Sequence, residues 1–132
     1  MSVRLLINGS RGRMGQMLIA CAKENPALSI GAAVDVGDDF AAGLAASDAV
    51  IDFSHHSTCE AVLDGCVAGK KTVVIGTTGH EAAERRRLLE LAAKLVLTKV
   101  YEDVQIDKPF AMGHNIDHAV IEPAALHVFI KK

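Results

Sequence analysis

The sequence predicts an α/β domain in which a parallel β-sheet is flanked by helices. Short apolar runs that suit buried strands alternate four times with stretches of helical periodicity, which is typical of successive strand and helix units. Glycines follow the first apolar run at once, where such a fold turns from a strand into a helix. The 132 residues are the size of one domain, so we expect one hydrophobic core.

The first predicted strand and helix lie on either side of these glycines. Residues 3–7 form an apolar run with almost no polar interruption, which is typical of a strand buried on both faces of a sheet. A helix is predicted over residues 12–23, and the Asn25-Pro26 pair ends it. Its inward face is predicted from four apolar residues at helical spacing, which are Met14, Met17, Leu18 and Cys21.

The second and third strands are predicted over residues 28–34 and 49–53, which are again short apolar runs. Residues 36–39 between them have the composition of a turn. The alanine-rich stretch at residues 40–46 predicts a short helix that leads into the third strand.

The next two helices are predicted from capping-box spacings. In a capping box, a hydroxyl and a carboxylate three residues apart each accept from the other's backbone amide. The two pairs with this spacing are Ser57 with Glu60 and Thr78 with Glu81. We expect one helix over residues 58–68 and a second that ends near Lys94, with a β-branched fourth strand at residues 72–75 between them.

The last third of the chain follows another pattern. Four segments look strand-like, at residues 95–100, 104–106, 119–121 and 127–130. Pro109, Gly113 and Pro123 interrupt this part, and no long helical pattern separates the segments. We therefore divide the chain into a core at residues 1–94 and a tail at residues 95–132, which we expect to pack on the same domain.

Composition and charge argue against several classes of function. The net charge is −2 and the basic residues are scattered, so we expect no binding to nucleic acid. The chain has neither a membrane-span pattern nor a signal-peptide pattern, so we expect a cytoplasmic protein with no membrane contact. Cys21, Cys59 and Cys66 lack Cys-x-x-Cys spacing, and we expect three buried thiols instead of disulfides or zinc ligands.

The glycines after the first strand predict a phosphate-binding loop. Glycine permits a tight turn and a close approach of the backbone to a pyrophosphate, which the positive end of the helix attracts. The loop residues are Gly9, Ser10, Arg11, Gly12, Arg13, Met14 and Gly15. They predict a Rossmann-like domain for NAD(H) or NADP(H). Their first interval differs from Gly-x-Gly-x-x-Gly, so a plain strand-to-helix turn stays an alternative.

Asp35 follows the second predicted strand and lies about 20 residues beyond the last glycine of the loop. In dinucleotide-binding domains, an acidic residue at this distance accepts hydrogen bonds from the ribose hydroxyls. A carboxylate there disfavours a 2′-phosphate, whereas Arg11 and Arg13 could pair with one. NAD(H) is therefore slightly preferred and NADP(H) stays open. The alternative is an aspartate that only begins a turn.

Two further loops are predicted to face the same crevice. They follow the third and fourth strands and read Asp52-Phe53-Ser54 and Gly76-Thr77-Thr78-Gly79. The glycines allow close approach, and hydroxyls and amides can orient a nicotinamide carboxamide or its ribose. The residues that we expect to line the cofactor are Phe53, Ser54, Gly76, Thr77 and Thr78.

The histidines predict no metal site. His55 and His56 follow a strand end, where solvated imidazoles are ordinary, although a proton donor or metal ligand is an alternative. His114 and His118 are four residues apart and would share a helix face, but the glycine and prolines around them disfavour a helix.

The glycine loop, the sequence Val50-Ile51-Asp52-Phe53-Ser54 and the Gly-Thr-Thr-Gly loop, in this order, resemble dihydrodipicolinate reductases, also called 4-hydroxy-tetrahydrodipicolinate reductases. The resemblance extends over residues 3–94 and implies the cofactor-binding domain of an enzyme that reduces a cyclic precursor of diaminopimelate and lysine with NADH or NADPH. It implies that residues 9–14, Asp35 and residues 76–78 bind the dinucleotide.

The resemblance implies that the acid catalyst and substrate grip come from a second domain, with paired histidines, a lysine and a Ser-Gly-Thr stretch. His55 and His56 do not stand in for that pair, because they follow Phe53-Ser54 in the cofactor domain and lack the downstream lysine and Ser-Gly-Thr context. We therefore assign no catalytic residue, and expect the chain to bind cofactor but to reduce tetrahydrodipicolinate poorly or not at all. Three alternatives stay open: a non-catalytic NAD(P)-binding or oligomerisation module, a truncated or altered-frame form without reductase activity, and a domain for another phosphate ligand.

Overall fold

The computed structural model describes residues 2–103, 118–119 and 130–131. A single turn of 3-10 helix, His56–Thr58, precedes the third α-helix. In chain order the strands and α-helices are β1 (Val3–Asn8), α1 (Arg13–Glu24), β2 (Leu28–Val34), α2 (Phe40–Ala45), β3 (Ala49–Asp52), α3 (Cys59–Gly69), β4 (Thr72–Ile75), α4 (Ala82–Asp103), β5 (His118–Ala119) and β6 (Ile130–Lys131).

The main sheet has four parallel strands in the order β2-β1-β3-β4. Its helices connect successive parallel strands, as the alternation of apolar runs requires. The predicted α/β, Rossmann-like architecture is therefore confirmed. None of the helices described here is both long enough and apolar enough to cross a lipid bilayer.

The core lies on both faces of this sheet because alternate residues of a strand point to opposite sides. Leu6 belongs to a larger cluster with residues of α2, α3 and α4, including Leu63 and Leu88. Leu5 and Ile7 point to the other face, where they pack with α1. Helices thus cover both faces, which explains why the strands are almost uniformly apolar.

The inward face of α1 differs from the prediction. Met14 and Met17 are 48% and 60% exposed, and Cys21 is exposed as well. Leu18 packs against the sheet as predicted, but its neighbours on the inward face are Gly15, Ile19 and Ala22, so this face repeats the predicted spacing one position later. Glycine and alanine contribute little to a hydrophobic pattern, so the pattern of the larger side chains predicted the wrong rotation of α1 about its own axis. Cys59 and Cys66 are buried as predicted.

The two predicted capping boxes are wrong. The Ser57 hydroxyl lies 2.8 Å from His55 Nδ1, and the Glu60 carboxylate accepts from Arg87 Nε at 2.9 Å. The 3-10 turn begins this region instead, since the Thr58 amide donates to the His55 carbonyl at 3.0 Å. The preceding turn has already satisfied the first amides, so α3 starts without a capping side chain.

At the start of α4 the capping interaction lies three residues later than predicted. The Glu84 carboxylate accepts from the Glu81 amide at 3.0 Å, which is half of a capping box. α4 then continues to Asp103, so the strand-like segment predicted at residues 95–100 and the helix end near Lys94 are wrong. No glycine or proline interrupts α4, and extending an existing helix is easier than starting a strand.

Little of the tail's remaining pattern can be compared with the structure. Ala119 and Ile130 pair in a short antiparallel ladder, and each lies in a predicted strand-like segment. The segment predicted at residues 104–106 lies outside the described residues.

Candidate functional site

The last residues of all four strands of the main sheet are in register. Asn8 pairs with Val34 and with Asp52, and Asp52 pairs with Ile75. The loops that follow therefore leave the sheet at one edge, which is where open α/β sheets bind ligands. We call them the glycine loop (residues 9–12), the acidic loop (residues 35–38), the β3 loop (residues 53–58) and the β4 loop (residues 76–80).

The glycine loop is a tight turn across the end of β3. Gly9 has a φ of 81°, which favours glycine, and a Cβ at this position would overlap the Phe53 carbonyl oxygen. Gly9 and Ser10 both donate their amides to the Val34 carbonyl, at 2.9 and 3.1 Å. Gly12 closes the turn by donating its amide to the Gly9 carbonyl at 3.1 Å. The loop is thus held between β2 and β3.

α1 begins directly after the glycine loop. Its N-cap, Gly12, has no side chain to cap the first turn, whose amides stay available to an anion. A Cβ on Gly15 would overlap the Gly9 carbonyl, so only glycine lets the first turn of α1 lie this close to the glycine loop. Gln16 Nε2 donates to the Ser10 carbonyl at 2.6 Å and holds the loop against the helix. Sequence reasoning missed Gln16, whose position next to the last glycine was the available signal.

Asp35 accepts two backbone amides through its carboxylate. Its Oδ2 accepts from the Arg11 amide at 2.7 Å, and its Oδ1 accepts from the Val36 amide at 2.8 Å. These hydrogen bonds, first that of Arg11, hold the pKa of Asp35 below its usual value. The ionised carboxylate keeps one lone-pair direction free on each oxygen, which suits hydroxyl donors.

Arg11 crosses from the glycine loop to the acidic loop. Its guanidinium forms an ion pair with Asp38 at 3.0 Å, and Asp38 also accepts from the Asp35 amide at 2.9 Å. The side chains are 66% and 39% exposed, so the pair lies at the surface. Arg11, one of the two arginines that could pair with a 2′-phosphate, is therefore already paired with an acidic side chain.

Asp52 joins three strand ends through its side chain. It is fully buried, and its carboxylate accepts from side chains at the ends of β1 and β4 and from its own loop. The donors are Asn8 Nδ2 at 2.8 Å, Ser54 Oγ at 2.6 Å, Thr77 Oγ1 at 3.0 Å and Cys59 Sγ at 3.1 Å. Sequence reasoning placed Asp52 in a loop motif but missed it as a site residue. The available signal was its position at the end of an otherwise apolar strand.

The β3 and β4 loops pack directly on one another. The Phe53 ring occupies the space where a Gly76 side chain would lie. The Ser54 amide donates to the Thr77 hydroxyl at 2.9 Å, and the Gly76 amide donates to the Asp52 carbonyl at 2.9 Å. A side chain at position 76 would therefore displace the Phe53 ring.

Three histidines belong to the β3 and β4 loops, namely His55, His56 and His80. The rings of His55 and His56 are 4.2 Å apart, and His56 Nδ1 lies 3.0 Å from the Glu84 carboxylate. The Glu81 amide and then His56 lower the pKa of Glu84. His80 Nε2 lies 2.9 Å from the Thr77 carbonyl oxygen. Within the described part of the chain, no three histidine, cysteine or acidic side chains could hold a metal ion together. His114 and the side chain of His118 lie outside it.

The predicted site residues gather at this edge with different exposure. Those that are buried are Gly9, Ser10, Gly15 and Thr77, and those that are exposed are Arg11, Gly12, Arg13, Met14 and Thr78. The partly buried ones are Asp35, Phe53, Ser54 and Gly76. Together they offer backbone amides, hydroxyls and a carboxylate, which are groups that bind and orient a ligand. Their role in cofactor binding stays a prediction.

Comparisons with known proteins point to one family. Residues 3–102 match the family described as "Dihydrodipicolinate reductase, N-terminus". A 4-hydroxy-tetrahydrodipicolinate reductase of Akkermansia muciniphila is 39% identical over 93 residues, which are 70% of this chain and 38% of the relative. One from Halorhodospira halophila is 33% identical over 148 residues, covering 95% of this chain and 53% of the relative. The chain thus spans about half the length of the curated relatives it matches, or less.

A solved structure has the same fold. It is a dipicolinate-bound dihydrodipicolinate reductase from Paenisporosarcina sp. TG-14, with a TM-score of 0.53 and 13% sequence identity. The alignment covers 99% of this chain and 79% of that one.

Proposed function

The chain belongs to the dihydrodipicolinate reductase family and consists mainly of its N-terminal dinucleotide-binding domain, and from this premise we propose that it holds NAD(H) or NADP(H) for the reduction of tetrahydrodipicolinate. A reduced nicotinamide supplies the hydride when it is bound. The observation that carries the proposal is the convergence of the glycine, acidic, β3 and β4 loops at the carboxyl edge of one parallel sheet.

The glycine loop and the first turn of α1 would hold the pyrophosphate. Three glycines support a close approach of the pyrophosphate to this backbone. A Cβ on Gly9 or Gly15 would overlap backbone atoms, and Gly12 leaves the helix N-terminus without a side-chain cap. Arg13 is exposed at this end of the helix and adds positive charge. The backbone therefore provides most of the binding groups, which favours any ligand with a diphosphate.

The acidic loop would bind the adenosine ribose, and we propose NADH as the preferred cofactor. Ribose hydroxyls can donate to the free lone pairs of Asp35, whereas a 2′-phosphate would meet the negative charges of Asp35 and Asp38. Arg11 could neutralise that phosphate only by leaving Asp38, and the exposed Arg13 is the other arginine that could pair with it. We propose that the two carboxylates outweigh this pairing, which makes NADPH the weaker ligand.

The β3 and β4 loops would orient the nicotinamide half. The Phe53 ring closes one side, and backbone groups near Gly76 and Thr78 lie at the sheet edge within reach of a carboxamide or ribose. The proton donor and the substrate-binding groups are proposed to come from the part of the relatives that this chain does not match. By itself, the 132-residue chain is then expected to bind cofactor with little or no turnover.

A titration with NADH tests the proposal. We expect saturable enhancement of NADH fluorescence with a dissociation constant below about 1 mM. The Gly12→Val variant should lose this binding because its side chain blocks the approach to the glycine loop. Gly69→Ala is the matched control, since a Cβ at that end of α3 makes only ordinary contacts.

The possible results separate the alternatives. Binding of a mononucleotide but not of NADH would favour a domain for another phosphate ligand. Ordinary reductase turnover by this chain would contradict the proposed origin of the proton donor. Saturable NADH binding that survives Gly12→Val would contradict the assignment of the glycine loop.

A further inference from the structure

Asp52 is a buried carboxylate at the end of an inner strand of the sheet. Its side chain has no exposure to solvent. Removing a carboxylate from water is costly unless hydrogen bonds replace the lost hydration. Four hydrogen-bond donors surround the Asp52 carboxylate and replace its lost hydration.

Each oxygen of this carboxylate accepts two hydrogen bonds. Oδ1 accepts from Asn8 Nδ2 at 2.8 Å and from the Ser54 hydroxyl at 2.6 Å. Oδ2 accepts from the Thr77 hydroxyl at 3.0 Å and from the Cys59 thiol at 3.1 Å. These four donors are all uncharged, and they come from the end of β1, the β3 loop, the β4 loop and the first residue of α3.

The four donors fill the hydrogen-bonding positions of a carboxylate group, which accepts at both oxygens. Burial and the nearby Asp52 raise the pKa of the Cys59 thiol to about 12, so this thiol keeps the proton that it donates. Hydrogen bonds to a charged acceptor are roughly twice as strong as neutral ones.

The network uses the hydroxyls that sequence reasoning offered to the cofactor. The Ser54 hydroxyl donates to Asp52, and the Thr77 hydroxyl donates to Asp52 while accepting from the Ser54 amide at 2.9 Å. A hydroxyl has one proton to donate. Ser54 and Thr77 therefore hold their loops in place. Since the Ser54 and Gly76 amides are also engaged within the protein, a ligand would meet the remaining backbone groups of those loops.

We propose that Asp52 is a positioning residue for the nicotinamide half of the cofactor, acting through Ser54 and Thr77 to set the two loops that receive that half. This inference rests on the proposed cofactor function. The adenosine half meets the acidic loop, which has no hydrogen bond to this network among those that the structure describes. Asn8, the donor that precedes the glycine loop, is also held by its strand pairing with Val34 and Asp52. The effect of Asp52 should therefore fall mainly on the nicotinamide end of the dinucleotide.

The test compares NADH with ADP-ribose, which has the same adenosine and diphosphate but no nicotinamide ring. In the Asp52→Asn variant the carbonyl oxygen still accepts, without charge, from one pair of donors, whereas the other pair meets an amide NH2 that cannot accept. We expect its dissociation constant for NADH to rise about tenfold and that for ADP-ribose to change by less than about twofold. Asp64→Asn, an equal change on an exposed position of α3, should alter neither.

A second pair of variants covers the case in which Asp52→Asn does not fold. Thr77→Val removes one donor with little change in shape and should weaken NADH about threefold, whereas Thr77→Ser keeps the hydroxyl and should bind like the wild type. Thermal unfolding of each variant identifies those that are folded at the temperature of the titration.

The outcomes are distinguishable. Equal losses of NADH and ADP-ribose in a folded Asp52→Asn variant would reveal a general structural role and overturn the proposal. Unchanged NADH binding in that variant, or in Thr77→Val, would also overturn it. A wild-type chain that binds neither ligand would instead refute the cofactor function itself.

Discussion

Replacement of Asp38 by asparagine should change the balance between NADPH and NADH. The variant keeps an oxygen that accepts from the Asp35 amide, but it removes the charge that holds the Arg11 guanidinium at 3.0 Å. The two side chains are 66% and 39% exposed, so this surface pair is worth only about 0.2–1 kcal/mol. The variant also removes one negative charge from the path of a 2′-phosphate. Together these effects should tighten NADPH binding about threefold to tenfold.

The assay is a pair of fluorescence titrations, with NADPH and with NADH, at low and at high salt. NADH should change by less than about twofold because it has no 2′-phosphate, and the gain for NADPH should shrink with salt because exposed charges are screened. Asp39→Asn is the matched control, since Asp39 caps α2 through the Ala42 amide and asparagine caps equally well. Equal gains for both cofactors, or none for NADPH, would refute the role given to Asp38.

Three further predictions concern stability and reactivity. Gly15→Ala should lower the free energy of unfolding by about 1–3 kcal/mol in urea titrations, because its Cβ would overlap the Gly9 carbonyl; an unchanged value would contradict this packing. Hydrogen bonds from Arg4 lower the pKa of Asp48 from 3.8 to about 2, so the stability that this ionised group contributes should be lost as the pH falls through that range. Urea titrations between pH 5 and pH 2 should therefore show a weaker acid dependence for Asp48→Asn than for the wild type, and equal slopes would contradict the assignment. A thiol reagent should modify Cys21 fast in the folded protein and the two buried cysteines only on unfolding, which time-resolved labelling with mass spectrometry checks.

The strands were predictable from the sequence because helices cover both faces of the parallel sheet, which favours apolar residues at most strand positions. β2 and β4 agree with the prediction at both ends. The rotation of α1 was not predictable from the same rule. Its contact with the sheet depends on Gly15 and Ala22, whose small size allows close approach but contributes little to a pattern of large side chains.

Hydrogen bonds at the helix starts were predicted less well than the helices themselves. Ser57 and Glu60 have the spacing of a capping box, but each finds a partner outside the helix, namely His55 and Arg87. A short polar side chain can satisfy several neighbours equally well, and only the folded positions of those neighbours decide among them. The same holds for Arg11, whose partner Asp38 lies on another loop.

The two aspartates of the site show what sequence spacing can detect. Asp35 was predicted as a ribose ligand because it lies about 20 residues beyond the last glycine of the loop, and this role stays a prediction. Asp52 was missed because its partners become neighbours only when β1, β3 and β4 align in register. Counting lone pairs separates their roles, since Asp35 accepts two hydrogen bonds and Asp52 accepts four. A carboxylate with free lone pairs at the surface can bind a ligand, whereas a saturated and buried one can act only through the groups that it holds.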